Sequence, residues 1–419
     1  MTTIKNLGRG VESVFIENNR FNTTMISVNF YLPLVREKIA AAALLPYLLT
    51  SCSAEYPDFS ALNLKLLSLY SADIGGSADR VGDNQWLRFY CNVLNDDVVD
   101  EPVLDTAALL LAELIFNPLI FDGQLSPRDV AREKRLTAEK IKSLVNDKRS
   151  YAINRAISEM FRDEAWGTMK TGELDDVLNL TPGDVTDAWE RMLKESFVRI
   201  QVVGKKMPAG LNERFAAAFA EIDRSAAGIT PARPKITQKV NEIKETAAVN
   251  QAKLVLGFTC PEIDRDGENI SKLVFADLFG GGPYSRLFSV VREQMSLCYY
   301  CAARATRSKG FMLIDCGVDT ENIKKAQDEI LHQLEIIKSG DFSDELIKAS
   351  AISLNDSLLT AEDSAAALDT WYGSRPYAGA AGPADVAELI KKINKSDIIS
   401  AAESYRLDTV YMLLPEEEK

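Results

Sequence analysis

The chain has 419 residues, 46% of them apolar and 26% charged, and a formal net charge of −13. That length exceeds one ordinary hydrophobic core and predicts two domains or two similar halves, while the acidic balance argues against a nucleic-acid partner, which needs concentrated Lys and Arg. No apolar run approaches the roughly eighteen residues of a membrane span, and MTTIKNLGRG lacks a signal peptide's apolar segment, so a cytoplasmic protein away from the membrane is expected.

The first strand candidate is MISVNFYLP, in which Ile26, Val28, Phe30 and Leu32 alternate on one face. An Ala/Leu-rich helix follows over residues 36 to 51 and contains the stretch ALLPYLLTS, a buried core helix with a proline in it. FSALNLKLLSLYSAD reads as another helix. It leads to a hairpin, ADIGGSADR and QWLRFYCNVL, turning at residues 82 to 84. The second hairpin strand sets Leu87, Phe89, Cys91 and Val93 against Arg88, Tyr90 and Asn92, one face buried and the other wetter. Helices are expected between 103 and 163, and VRIQVVG at 198 to 204 is strand-like.

Between about 205 and 247 the pattern loosens into Pro, Gly and charge, which predicts a first domain at 1–210, a linker at 211–246 and a second domain at 247–419. The second part opens as the first does. AKLVLGFTCP is a strand whose Phe258 and Pro261 are spaced like Phe30 and Pro33, and SKLVFADLF supplies the next helix, so an internal duplication is expected. The fold class is α+β: in each half, a mainly antiparallel sheet with helices packed on one face.

Candidates for chemistry are few. With one histidine, His332, the chain cannot build a zinc site with two His ligands. His332 falls off the apolar stripe of its helix and reads as a solvated residue. The six cysteines (52, 91, 260, 298, 301 and 316) lack a disulfide-framework spacing and read as reduced thiols. Cys298-Tyr-Tyr-Cys301 looks like a redox pair, but residues three apart on a regular strand point to opposite faces, so neither a disulfide nor a shared metal is expected there. Gly280–Gly282 lacks the endings of a P-loop or dinucleotide turn and reads as a helix-ending glycine turn.

The order of elements, the duplication and the stretch GGGPYSRLFSVVREQMSLCYYCAA (280 to 303) together resemble the insulysin and pitrilysin family of zinc peptidases, especially its short bacterial and mitochondrial-processing-peptidase-like members. The resemblance runs through nearly the whole chain and implies two homologous domains forming half of a clamshell. Active members carry His-x-x-Glu-His on the first long helix, two histidines binding zinc and the glutamate polarising water. Laid on that pattern, Ala43 and Tyr47 occupy the histidine positions and Pro46 that of the base. In RDVAREKRLTAEKIKSLVNDK, counting on from Glu133 brings Lys140 to the place of the third, carboxylate ligand, with Glu139 beside it. The resemblance therefore implies no catalytic residue, no metal and no cofactor.

It also implies that Arg292 and Tyr299 bind the backbone of an extended peptide substrate. Ser296 stands where members usually have glycine. The function implied is a non-catalytic subunit that pairs with a zinc-bearing peptidase of the same family, or with itself, the alternative being a scaffold of the same fold with no part in proteolysis.

Overall fold

In the computed structural model, residues 2–99, 101–230, 232–233, 235–261, 270–377 and 380–416 are described. They divide into two compact units that interleave along the chain: 1–142, 169–230 and 361–376 form one, and 143–168, 231–360 and 377–419 the other.

The first unit is built on β1 (Thr2–Gly8), β2 (Val11–Glu17), β3 (Thr23–Pro33), β4 (Asp73–Val81), β5 (Asn84–Leu94) and β8 (Phe197–Gly204), in the spatial order β1-β2-β8-β3-β5-β4. A two-residue ladder of β6 (Ile120–Phe121) and β7 (Gln124–Leu125) stands apart. Neighbours in the large sheet are antiparallel except the parallel pair β2 and β8. The hairpin β4–β5 turns through Gly82, whose φ of 55° is the left-handed conformation that glycine adopts without steric cost.

Alternation along the strands decides what covers each face. Ile26, Val28, Phe30 and Leu32 of β3 and Leu87, Phe89, Cys91 and Val93 of β5 join one core cluster with the helices α1 (Ile39–Leu49), α3 (Val103–Phe116) and α7 (Pro182–Glu195). α2 (Phe59–Ser68), α4 (Pro127–Ser143), α6 (Leu174–Asn179) and α8 (Leu211–Ala220) complete the helices of the first half in this unit.

The opposite face carries Ser27, Asn29, Tyr31, Arg88, Arg199 and Gln201. A helix from the second half of the sequence, α12 (Ala365–Gly373), docks on it. Buried Asp369 accepts from Ser27 Oγ (2.6 Å), from Arg88 Nε (2.8 Å) and from Gln201 Nε2 (2.5 Å), while Tyr31 donates to the Gly373 carbonyl at 2.6 Å. The face that reads as wetter in sequence is thus polar, yet covered.

The second unit contains β9 (Asn241–Ala247), β10 (Ala252–Thr259), β11 (Cys298–Thr306), β12 (Phe311–Val318) and β13 (Arg406–Pro415), ordered β11-β12-β10-β13-β9, with only β13–β9 parallel. Its own half supplies α9 (Ile270–Gly280), α10 (Ile323–Lys338), α11 (Asp344–Glu362), α13 (Pro383–Ile390) and α14 (Lys395–Ser404). The first half supplies α5 (Lys148–Met160), which packs on β10 and β13. Gly257 permits this approach, since a Cβ there would stand 2.9 Å from Met160 Sδ.

The α+β class and the mainly antiparallel sheets are as expected. Each half's own helices gather on one face of its sheet, and one exchanged helix covers part of the other. The linear boundaries need correction, because 143–168 and 361–376 each belong to the unit of the opposite half. The expected linker 211–246 also begins with α8, whose Phe215 and Phe219 enter the first core, and ends in β9. A short helix with Phe every fourth residue among alanines, and an edge strand with a polar exposed side, carry too little apolar signal to stand out from a linker.

Candidate functional site

The helix α1 is buried along its length except at Tyr47, which is half-buried. Pro46 lies inside it, so the ring replaces the N–H that would bond one turn back. The Pro46 carbonyl is satisfied by Thr50 Oγ1 at 2.7 Å. Pro46 presses against the sheet-edge strand β4. A Cβ built on Gly76 would lie 2.5 Å from the Pro46 oxygen and 2.6 Å from its Cβ, so glycine at 76 is what lets the helix backbone approach the strand so closely. Ala43 is 2% exposed and packs in the core.

Of the four positions expected from the sequence to stand where a metal centre would be, the structure brings Tyr47 and Lys140 together. The Lys140 ammonium lies 5.9 Å from the centre of the Tyr47 ring, within reach of a cation–π contact. The carboxylates of α4 are engaged elsewhere. Glu139 pairs with Arg135 at 3.0 Å, and Glu133 with Arg132 at 2.9 Å. Buried Asp129 is held by Arg132 at 2.8 Å and Arg128 at 3.3 Å. Burial works to raise the Asp129 carboxyl, but Ser126 and the two guanidinium groups together hold it below the usual range.

Zinc needs about four N, S or O donors at roughly 2.0–2.3 Å. A methyl group, a proline ring and a phenol beside an ammonium do not form such a set, and the cation would repel a second one. These residues do not fit the metal. Among the described residues no group of three or more His, Cys, Asp or Glu could hold a metal ion.

In the second unit the glycine run closes α9. A Cβ on Gly280 would meet the Ala303 nitrogen at 2.4 Å, and Gly281 N–H donates to the Asp277 carbonyl at 2.7 Å. Tyr284 and Ser350 both donate to the Asp277 carboxylate, at 2.5 and 2.6 Å. The chain then forms a π-helical turn, Phe288–Gln294, carrying Arg292. The Arg292 guanidinium lies 4.4 Å from the centre of the Phe288 ring and 3.6 Å from the Glu293 carboxylate, and its side chain is 39% exposed. Ser296 has φ 51°, the left-handed region, which explains why a glycine suits that position. Tyr299, on the edge strand β11, is 64% exposed. His332 is exposed on α10, as expected.

One expectation fails here. Cys298 pairs with Val318 and Tyr300 with Gly317, so a β-bulge places Tyr299 outside the ladder and restores Cys298 to the face that Cys301 occupies. Both cysteines are buried, and Cys301 lies directly opposite Cys316 on β12. Opposite-face geometry holds only for an unbroken strand, and nothing in Leu-Cys-Tyr-Tyr-Cys announces the extra residue. The Asp369 cluster was also missed, since Asp369 is 168 or more residues from each of its partners Ser27, Arg88 and Gln201.

A family model described as the peptidase M16 inactive domain matches residues 179–354. The probable inactive metalloprotease YmfF of Bacillus subtilis (strain 168) is 27% identical over 413 residues, 98% of this chain and 97% of the relative. Among solved structures, a conserved protein from Enterococcus faecalis V583 superposes with a TM-score of 0.92 at 27% identity, covering 100% of this chain and 99% of that one. The peptidase M16 inactive domain from Pseudomonas fluorescens shares the fold, with a TM-score of 0.80 at 16% identity over 100% and 99% of the two chains. Residues 179–354 match the M16 inactive domain, and the chain along nearly its whole length is similar to an inactive M16-type metalloprotease homologue. For an M16 homologue of this kind, filling α1 with Ala43, Pro46 and Tyr47 has a physical logic. Buried ligands deprived of their ion would be unpaired polar groups, and apolar side chains remove that cost. Among the described residues no helix is long and apolar enough to cross a membrane.

Proposed function

We propose that this M16 homologue is the non-catalytic subunit of a zinc metallopeptidase, pairing with a zinc-bearing chain of the same family and contributing Arg292 and Tyr299 to the binding of an extended peptide. The observation that carries this reading is the contrast between two sets of residues. At the aligned metal positions Ala43 and Pro46 are packed away and Tyr47 faces Lys140, whereas Arg292 and Tyr299 keep 39% and 64% of their surface in water. A guanidinium and a phenol are donors suited to peptide carbonyls and to charge developing on them. Tyr299 also sits on an edge strand, where an extended segment can add by main-chain pairing. Pairing with a second copy of itself is the other assembly this reading allows. Six cysteines without a disulfide fit the reducing cytoplasm, where we place the protein.

Mixing the chain with a family member that carries His-x-x-Glu-His is expected to give chelator-sensitive peptide cleavage that neither protein shows alone. Arg292→Ala and Tyr299→Phe are expected to lower that cleavage roughly a hundred- to a thousandfold in an intact complex, the range for removing a donor to the charge developing in the transition state. Unchanged cleavage by both variants would remove the substrate role. A scaffold reading is favoured by one observation, the packing of Arg292 on Phe288 and Glu293, which occupies it without any peptide. It is distinguished by full complex formation with no effect of either variant.

A further inference from the structure

The bulge at Tyr299 does more than expose a phenol. By returning Cys298 to the face of Cys301 it assembles three thiols, Cys298, Cys301 and Cys316, under the π-helical turn that carries Arg292. Cys301 is central, on the same face of β11 as Cys298 and directly opposite Cys316 on β12. The partners of Cys298 and Cys301 on β12, Val318 and Cys316, are two residues apart. At about 3.4 Å per residue, this sets the two Cα atoms roughly 6.8 Å apart, the upper end of the range a disulfide spans without backbone movement.

We propose that Cys298 and Cys301 are a dithiol that hydroperoxides oxidise reversibly to a disulfide, and that closing it tightens the bulge bearing Tyr299. Cys298 reacts first. It is the least buried of the three residues, 8% exposed against 5% for Cys301 and 1% for Cys316. A hydrogen bond from Cys301 stabilises the Cys298 thiolate, burial opposes it, and the Arg292 guanidinium assists, with a net lowering of its pKa. The contacts with Cys298 and Cys316, together with burial, hold the Cys301 proton on well above the usual thiol range, which suits the resolving partner. In the first step the Cys298 thiolate attacks a peroxide oxygen. The O–O bond breaks, an S–O bond forms, and hydroxide or alkoxide leaves to take a proton from solvent. In the second, Cys301 sulfur attacks the Cys298 sulfenic sulfur. The S–S bond forms, the S–O bond breaks, and the Cys301 proton leaves with the hydroxyl as water. The two sulfurs together lose two electrons and the peroxide gains two.

Because Cα separation is already near the limit, the disulfide shortens the Cys298–Cys301 span and restrains the residues between, Tyr299 and Tyr300. This chemistry stands apart from the subunit reading. It uses residues of the single chain, and its failure would leave the role of Arg292 and Tyr299 untouched.

The test is peptide mapping by mass spectrometry of the purified full chain before and after hydrogen peroxide, without reductant. The expected result is a Cys298–Cys301 disulfide that dithiothreitol reverses, unchanged in Cys316→Ser and lost in both Cys298→Ser and Cys301→Ser. Hydrogen exchange at 299–301 in the oxidised wild-type chain is expected to slow at least severalfold. A disulfide between Cys301 and Cys316, persistence of the product in Cys298→Ser, or sulfinic acid at Cys298 with no disulfide would overturn the assignment. A disulfide without slower exchange would overturn the coupling to the bulge.

Discussion

At the scale of single residues, two positions show how a local departure is held in place by its surroundings. Ser296 sits at φ 51° just after the π-helical turn, where a Cβ is crowded against its own backbone. Ser296→Gly is expected to raise unfolding stability by about 0.5–1 kcal/mol, the strain relieved less the greater freedom of glycine in the unfolded chain. A urea titration would check it, and Ser296→Val is expected to move the midpoint the other way. The departure from glycine was legible in the sequence, its backbone cause was not. Asp369 is the opposite case. Its side chain is 0% exposed and paired with Arg88, itself 11% exposed, so Asp369→Ala would strand a buried guanidinium. The expected loss is about 3–5 kcal/mol by chemical unfolding, the cost of removing one partner of a buried pair. A loss under about 1 kcal/mol would mean that water reaches Arg88 freely. No periodicity could have marked Asp369, because its partners Ser27, Arg88 and Gln201 come from three strands of the other half.

At the scale of elements, the strands and helices with strong patterns were readable and the exchanges were not. The strands β3, β5 and β10 form where their apolar pattern placed them, although only β5 alternates in burial along its second half while β3 and β10 are buried on both faces. The destination of α5 and α12 depends on contacts that only folding supplies. α5 is fastened to the second sheet by Arg155, which pairs with Glu245 of β9, while Tyr411 donates to the same carboxylate at 2.8 Å. Burial works to raise the Glu245 carboxyl, but the hydrogen bonds from Arg155 and Tyr411 outweigh it and hold it below its ordinary 4.5. A carboxyl depressed in the folded state stabilises the fold above its unfolded pKa and ceases to do so as pH falls through the folded value. The stability advantage of wild type over Glu245→Gln is therefore expected to be constant above about pH 4.5 and to shrink below it. Urea midpoints measured from pH 7 to pH 3 would show this, and an advantage that grew on acidification would contradict the arrangement. The bulge at Tyr299 marks the limit of strand reading: an inserted residue reverses every face assignment on one side of it, and Cys298 changed sides for that reason.

At the scale of the whole molecule, the α+β class and the M16 resemblance could be read before any coordinates, because glycine turns, Ser-Arg-Leu-Phe and the missing histidines are local signals. The interleaving of the halves was not. Duplication alone suggests two independent domains, whereas each unit completes its sheet packing with a segment from the other half of the sequence. We propose that this homologue of zinc peptidases lacks the donors for a zinc ion and offers Arg292 and Tyr299 to a peptide. The most direct measurement is peptide cleavage by the single purified chain after equilibration with zinc, with and without a chelator. No chelator-sensitive cleavage is expected. Cleavage that depends on zinc bound stoichiometrically to this chain, and that disappears with the chelator, would contradict the account.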